Sequence, residues 1–199
     1  MKSMLLSLAL ALACAAPALA QPAATPPRTI NITADSASGW VPDEALQAAA
    51  EQAATRYFAA RDSGRHADAF AMLTESNRAL QTFDEYRAES DALRDSTGVM
   101  TARVFTQTTW TKDSPRAPEP GVYAAIDFTS RYAKADRECG YVILFQSPAG
   151  GAFRVMREER IVLDNETAAS IVREKSQLEL ATMWRQLSAH CPNYRPISP

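Results

Sequence analysis

The chain has 199 residues, of which 46% are hydrophobic, and its 21 Lys and Arg against 23 Asp and Glu give a formal net charge of -2. This balance argues against a nucleic-acid-binding protein, which normally shows a basic excess or a basic stripe. The apolar fraction is typical of a globular protein, and the length suits one domain better than two.

The first 20 residues have the pattern of a secretory signal peptide. Lys2 supplies a positive start, Met4 to Ala15 form an apolar run, and Pro17 breaks it. Ala18-Leu19-Ala20 has the small-x-small pattern that precedes cleavage, which makes Gln21 the expected mature N-terminus. The run is shorter than the roughly 20 residues that span a bilayer. We therefore expect an exported bacterial protein, periplasmic or secreted, with no integral membrane segment after cleavage.

Cys14 offers an alternative interpretation of the same leader. A lipoprotein signal places a cysteine after a short Leu-small-small box, and Ala11-Leu12-Ala13 precedes Cys14 here. In that alternative the mature chain starts at Cys14 and is anchored by lipid. Ala11 stands where Leu is usual, which favours cleavage after Ala20.

The segment after the leader is predicted to be a flexible tether followed by a helix. Residues 21–40 contain three prolines and little apolar pattern, as is typical of a tether. From Pro42, apolar residues recur at three-to-four spacing to about Ala60, which predicts an amphipathic helix.

Two further helices are predicted before the pattern changes. A short helix follows the first, and Thr82 with Glu85 forms a capping-box pattern that opens the next. Gly98 is the expected end of that helix. Beyond it, apolar residues alternate with polar ones, the period of half-buried strands.

The second half of the chain is predicted to form a sheet and a final helix. Helices followed by hairpin-linked strands indicate an α+β domain, with helices packed on one face of a curved antiparallel sheet of about four strands. The predicted strands cover 99–111, 122–131, 139–146 and 153–163, and residues 164–199 form a C-terminal helix and tail.

Two cysteines remain after removal of the leader, Cys139 and Cys191. Two cysteines in an exported chain predict one disulfide. Its closed loop would stabilise the fold by roughly 4 kcal/mol in the chain-entropy model. The alternatives are two unpaired thiols or a redox or metal pair, and the lack of a CxxC spacing argues against the latter.

Several short motifs stand at characteristic positions between Ala49 and Leu163. They are Asp62-Ser63-Gly64, Arg94 with Gly98 and Arg103, Pro120-Gly121-Val122-Tyr123, Glu138, and Gly150-Gly151 before Phe153-Arg154-Val155. In these residues the chain resembles the bacterial family DUF4019, whose members are of unknown function and look NTF2-like (cystatin-like) in fold. The resemblance implies such a domain over 41–163, and a fold and compartment rather than an activity.

The two histidines give little indication of catalysis. His66 begins a short helix, and His190 lies at a helix C-terminus, where the helix dipole favours a cation. Adjacent His190 and Cys191 seldom face each other productively as a nucleophile pair. The sequence contains no HExxH, GxSxG or P-loop motif. We predict no catalytic residue, no metal ligand and no cofactor.

A surface for binding is predicted from three polar residues of one strand and two arginines. Tyr123, Asp127 and Arg131 lie on the same side of the second predicted strand, and Arg94 and Arg103 flank the turn before the first strand. The alternatives are a solvated polar stripe for the first three residues and structural ion pairs for the arginines. Residues 158–160 are predicted to be a charged strand edge that discourages aggregation.

These observations favour an exported, non-enzymatic domain that binds a small ligand or a partner protein on its curved sheet. The alternative is a small NTF2-like isomerase or hydrolase with Asp127 as general base. A third possibility is a homodimer formed through Met183, Trp184 and Leu187 of the C-terminal helix. No nucleic-acid partner is expected.

Overall fold

A computed structural model describes residues 30–189, without the side chains of 184, 185 and 187–189. The predicted leader, His190 and Cys191 lie outside the described residues. The helices are α1 (Glu44–Asp62), α2 (His66–Ala71), α3 (Glu75–Arg78), α4 (Phe83–Thr97), α5 (Asn165–Glu174) and α6 (Gln177–Ala189). The strands are β1 (Ile30–Ile32), β2 (Met100–Lys112), β3 (Val122–Tyr132), β4 (Ala135–Gln146) and β5 (Arg154–Asp164).

Local signals in the sequence account for the ends of the main helices. The Asp43 carboxylate accepts a hydrogen bond from the backbone N–H of Leu46 at 2.7 Å, which caps α1. At the start of α4, Thr82 and Glu85 form the predicted capping box. Gly98 ends α4 with a φ of 74°, a conformation that glycine adopts without a steric penalty.

The five strands form one open sheet in the order β1-β2-β3-β4-β5. The pairs from β2 to β5 are antiparallel, and β1 lies parallel to β2, with Ile30 opposite Thr108. The mixed α+β class is confirmed, but the sheet has five strands rather than about four. The additional strand lies within the segment predicted as a tether, and three residues are too few to show an alternating pattern.

The core lies between α1 and one face of the sheet, termed here the helix-covered face. Alanines at positions 50, 53 and 54 of α1 are completely buried, which allows the helix to approach the sheet closely. Phe58 of the same helix contacts Phe128 of β3 edge to face, with ring centroids 4.8 Å apart. Trp110, Ile126, Val142, Leu144 and Val155 complete this face.

The C-terminal region contains two helices where the sequence predicted one. Lys175 leaves the helical conformation, and the side chains of Ser176 and Glu179 then make the reciprocal hydrogen bonds of a capping box at the start of α6. Within residues 30–189, no helix combines the length and the apolar character needed to cross a membrane.

Candidate functional site

The five residues of the predicted binding surface lie in three different places. Tyr123, Asp127 and Arg131 point to the face of the sheet opposite α1, termed here the open face. Arg103 of β2 points to the helix-covered face, where its guanidinium lies over the Phe58 ring. Arg94 lies in the last turn of α4. The structure therefore does not bring the two arginines together with the three residues of β3.

Arg103 is engaged in structural contacts. Its guanidinium pairs with the Asp62 carboxylate, with Nη1 at 2.5 Å, and its Nε donates to the Ser130 hydroxyl at 2.9 Å. The Tyr132 hydroxyl accepts from its Nη2, also at 2.9 Å. This arrangement matches the structural ion pair weighed as the alternative for Arg103 rather than a site for an external anion.

Arg94 is about half exposed and contacts the turn between α1 and α2. It lies 3.6 Å from the Asp91 carboxylate, and its guanidinium lies over Gly64, where an added Cβ would come within 2.4 Å of Nη1. Asp91 also contacts His66, whose Nε2 lies 2.9 Å from the Asp91 Oδ1. His66 therefore contributes to the contact between α2 and α4.

A groove of about 840 Å³ crosses the open face of the sheet. Its floor consists mostly of small or apolar side chains from the central strands, and Met156 of β5 borders it. Leu80, 83% exposed, lies at one rim, and the β2–β3 loop lies at the other. The floor residues are Thr109, Thr111, Tyr123, Ala125 and Ile143.

Polar contacts within the β2–β3 loop and with the segment after β1 hold this loop at the groove. The Asp113 carboxylate accepts from the backbone N–H of Gly121 at 2.8 Å. Arg116 donates through Nε to Asp35 at 2.8 Å, which ties the loop to the segment after β1. Arg116 and the Ser114 hydroxyl hold the pKa of Asp35 well below its ordinary range. The additional strand β1 therefore brings Asp35 to the groove.

Tyr123 is the one residue of the predicted surface that lines the groove. Its side chain is buried, its hydroxyl donates to the backbone carbonyl of Glu119 at 2.6 Å, and its ring packs against Phe145. Burial raises the pKa of this hydroxyl. Asp127 and Arg131 are half-buried on the same face, outside the residues that line the groove.

A cluster of charged residues is buried on the helix-covered face, at the C-terminal end of α1. Arg61, 3% exposed, pairs with Glu158 and lies 3.9 Å from Glu138, which is completely buried. Asp62 lies close to Arg61, and Arg103 lies close to Glu138. We term these five residues, Arg61, Asp62, Arg103, Glu138 and Glu158, the buried charge cluster. The Tyr57 hydroxyl donates a hydrogen bond to the Glu158 carboxylate at 2.7 Å, and the Tyr132 hydroxyl donates one to the Glu138 carboxylate at 2.9 Å.

Within the buried charge cluster, mutual attraction favours the ionised forms of Glu158 and Arg61. Burial alone would raise the pKa of Glu158, but the guanidinium groups of Arg61 and Arg160 hold it below its ordinary value. Burial opposes the charge of Arg61 as well, yet the Glu158 carboxylate raises its pKa well above the usual value. Burial, aided by Glu138, raises the pKa of Tyr132 to about 12.

The sequence reasoning missed Arg61 and Glu158 as functional or structural centres. Glu158 was predicted at a charged strand edge, but a register shift near Met156 turns it beneath α1, where it meets Tyr57 and Arg61. Arg61 is adjacent in sequence to the Asp62-Ser63-Gly64 motif, and Glu138 is itself a residue of the resemblance. The proximity of Arg61 and Glu138 to these motifs was the sequence feature from which the cluster could have been predicted.

The predicted disulfide falls partly outside the described residues. Cys139 is buried in β4, opposite Thr129 and Ile161 in the strand register. Its predicted partner, Cys191, is not among the residues described. The pairing therefore stays a prediction. Among residues 30–189, no group of three His, Cys, Asp or Glu side chains is placed to hold a metal ion.

The fold and the groove together define a mixed α+β domain with an open five-stranded sheet, with α1 packed on one face and the groove on the other. The family follows from sequence comparison: a family model described as "Protein of unknown function (DUF4019)" matches residues 53–157, more than half of the chain. The chain belongs to the DUF4019 family, as its motifs predicted. No curated protein and no solved structure matches it.

Proposed function

We propose that this protein is an exported, NTF2-like binding domain that holds a small, largely apolar molecule in the groove on the open face of its sheet. The signal-peptide pattern of residues 1–20 supports export. Helices packed on one face of a single sheet support the NTF2-like assignment. The observation that carries the binding role is the groove itself, since ligand sites in proteins are concave, mostly apolar and of about 300–1,000 Å³.

The charges around the groove favour a neutral ligand. Arg116 pairs with Asp35, and Arg157 pairs with Glu159, so these guanidinium groups already have carboxylate partners. An anionic ligand would compete with those carboxylates for the guanidinium groups and would be repelled by them. A neutral molecule instead contacts the apolar floor formed by Ala125 and Ile143 without disturbing either pair.

The position of Asp127 supports binding rather than catalysis. A general base must reach the proton that it abstracts, within hydrogen-bond distance or through one water. Asp127, the carboxylate of the enzyme hypothesis, does not line the groove. Its strand register places it opposite Gln107 of β2 and Tyr141 of β4.

The proposal is tested with N-phenyl-1-naphthylamine, a neutral apolar dye that fluoresces when it leaves water. We expect saturable fluorescence with the folded protein and a loss of about tenfold or more in affinity for Ala125→Arg, equivalent to about 1.4 kcal/mol. The arginine would occupy the middle of the groove and place an unpaired charge on its apolar floor.

Ala88→Arg is the matched control, since Ala88 lies on the exposed side of α4. Circular dichroism establishes that both variants are folded. Equal dye affinity for the two variants, or no saturable binding to the original protein, would contradict the proposal.

A further inference from the structure

Strand β1 forms one edge of the sheet, and its outer side has no partner strand within the described part of the chain. The Thr33 N–H donates to the Trp110 carbonyl of β2 at 2.9 Å, so the backbone of Thr33 faces β2. Alternate residues of an edge strand present their N–H and C=O groups to the neighbouring strand, and the residues between them face outward. Asn31 therefore also faces β2, while the backbone groups of Ile30 and Ile32 point away from the sheet.

The side chains of the two isoleucines lie on one face of the sheet, because side chains alternate along a strand. Ile32 stands opposite Trp110 in the parallel register, so this is the helix-covered face. The isoleucines are 42% and 38% exposed at the edge. The exposed Asn31 side chain points to the open face. The edge thus combines outward-facing backbone groups with exposed apolar side chains, the combination that another strand can pair with.

The opposite edge of the sheet is protected in two ways. Strand β5 carries the charged run 157–160, and the segment before α3 covers part of its outer side. There the Thr74 N–H donates to the Val155 carbonyl at 2.8 Å, and the Val155 N–H donates to the Met72 carbonyl at 2.9 Å. Charged side chains and covering segments are common means of blocking a sheet edge. Strand β1 has no charged residue and no proline, so it is the edge that admits a further strand.

We propose that β1 pairs with β1 of a second copy of this chain, antiparallel and about a two-fold axis at Asn31. In this register Ile30 and the partner's Ile32 exchange two backbone hydrogen bonds, and Ile32 does the same with the partner's Ile30. Asn31 lies opposite the partner's Asn31, in the non-hydrogen-bonded position between these pairs. The pairing therefore uses the outward-facing backbone groups of β1 and no others.

The sequence Ile-Asn-Ile makes the edge complementary to itself. It reads the same on both sides of the axis, as the isologous contact of a two-fold dimer requires. The four isoleucines meet on one face, where apolar cross-strand pairs stabilise a sheet. The two asparagine amides meet on the other face, where each can donate to the other. The inference does not depend on the groove ligand, since residues 30–32 do not line the groove.

The small size of this contact predicts a weak dimer. A stable interface of standard size buries about 1,200–2,000 Å², more than two three-residue strands can cover. We therefore expect a dimer that dissociates on dilution, with a Kd of about 10–100 µM.

Sedimentation equilibrium of the full mature chain, from about 1 to about 200 µM, tests the association. We expect the average mass to rise from that of a monomer towards that of a dimer. Ile30→Lys should weaken the association by about tenfold or more, because a lysine on an edge strand opposes the addition of another strand. Leu178→Lys is the matched control, since Leu178 is 77% exposed on α6, and it should dimerise like the original protein.

Disulfide trapping tests the register independently. With diamide as the oxidant, Asn31→Cys should form a dimer linked through residue 31, because Cα atoms in a non-hydrogen-bonded pair lie about 4.5 Å apart, within the range of a disulfide. Thr33→Cys is the control. Its two copies would lie four residues out of register, about 13 Å apart, and should not be linked. Peptide mapping identifies the linked residues.

A monomer at every concentration would overturn the proposal. Weakening by Leu178→Lys but not by Ile30→Lys would also overturn it, since that result places the contact on α6. Equal linking of Asn31→Cys and Thr33→Cys, or no linking of Asn31→Cys, would contradict the register. Each of these results leaves the dye assay of the groove unaffected, because neither Ile30 nor Asn31 lines the groove.

Discussion

Arg61→Ala is expected to lower the free energy of unfolding by about 3–5 kcal/mol, the usual cost of removing one partner from a buried ion pair. Arg61 pairs directly with Glu158 and lies 3.9 Å from the completely buried Glu138, which Arg103 also approaches at 3.7 Å. Without it, both carboxylates keep their desolvation penalty, while Glu158 loses its principal compensating charge and Glu138 loses one of the two guanidinium groups beside it. Urea denaturation, monitored by circular dichroism, measures the change. An unchanged slope of the unfolding free energy against urea concentration would show that the variant still unfolds in the same two-state manner.

Arg87→Ala is the matched control for this experiment. Arg87 pairs with Asp84 on the surface of α4 at 3.1 Å, with side chains 53% and 79% exposed, so its removal should cost about 1 kcal/mol or less. The double variant Arg61→Ala with Glu138→Gln should recover part of the loss, because it removes one of the two carboxylates that lose a neighbouring cation. Equal losses for Arg61→Ala and Arg87→Ala would show that the buried charge cluster does not stabilise the fold.

Gly140→Ala is expected to lower the free energy of unfolding by about 3 kcal/mol or more, at the upper end of the range for overpacking. A Cβ at Gly140 would lie 2.0 Å from the backbone carbonyl oxygen of Glu159 and 2.9 Å from the Arg160 Cα. Both atoms belong to backbone, which cannot rotate away. Strand β5 must therefore move from β4, at the point where β5 places Glu158 in the buried charge cluster.

Gly39→Ala provides the comparison for Gly140→Ala. Nothing lies within 4 Å of a Cβ at Gly39, whose φ is +72°, so this variant should show only the backbone strain of about 1–2 kcal/mol. Thermal or urea unfolding of both variants measures the difference. A smaller loss for Gly140→Ala than for Gly39→Ala would mean that β4 and β5 are not packed as closely as described.

The sequence was sufficient to predict the main elements because their signals are local. The capping box of Thr82 and Glu85, the glycine that ends α4, and the alternation in β3 each depend on a few neighbouring residues. Strand β1 depends on pairing with β2, which is distant in the chain, and so it carried no local signal. The break at Lys175 was missed although the Ser176–Glu179 spacing is itself a capping-box signal.

The candidate site was only partly predictable from the sequence. Alternation placed Tyr123 and Asp127 on one face of β3, and the structure has both on the open face. Alternation could not show which side chains would line a groove, because that depends on the loop held by Asp35 and Arg116. The burial of Glu158 depends on a register shift in β5, which no periodic pattern predicts.

The most direct test of the central claim is a native mass spectrum of the protein exported to a bacterial periplasm and purified gently. The account predicts a chain starting at Gln21 that retains a small molecule, lost on denaturation, and a matching preparation of Ala125→Arg without it. The same masses report whether Cys139 and Cys191 are joined. An adduct retained equally by Ala125→Arg, or a bare mass in the original protein, would contradict the assignment of the groove as the binding site.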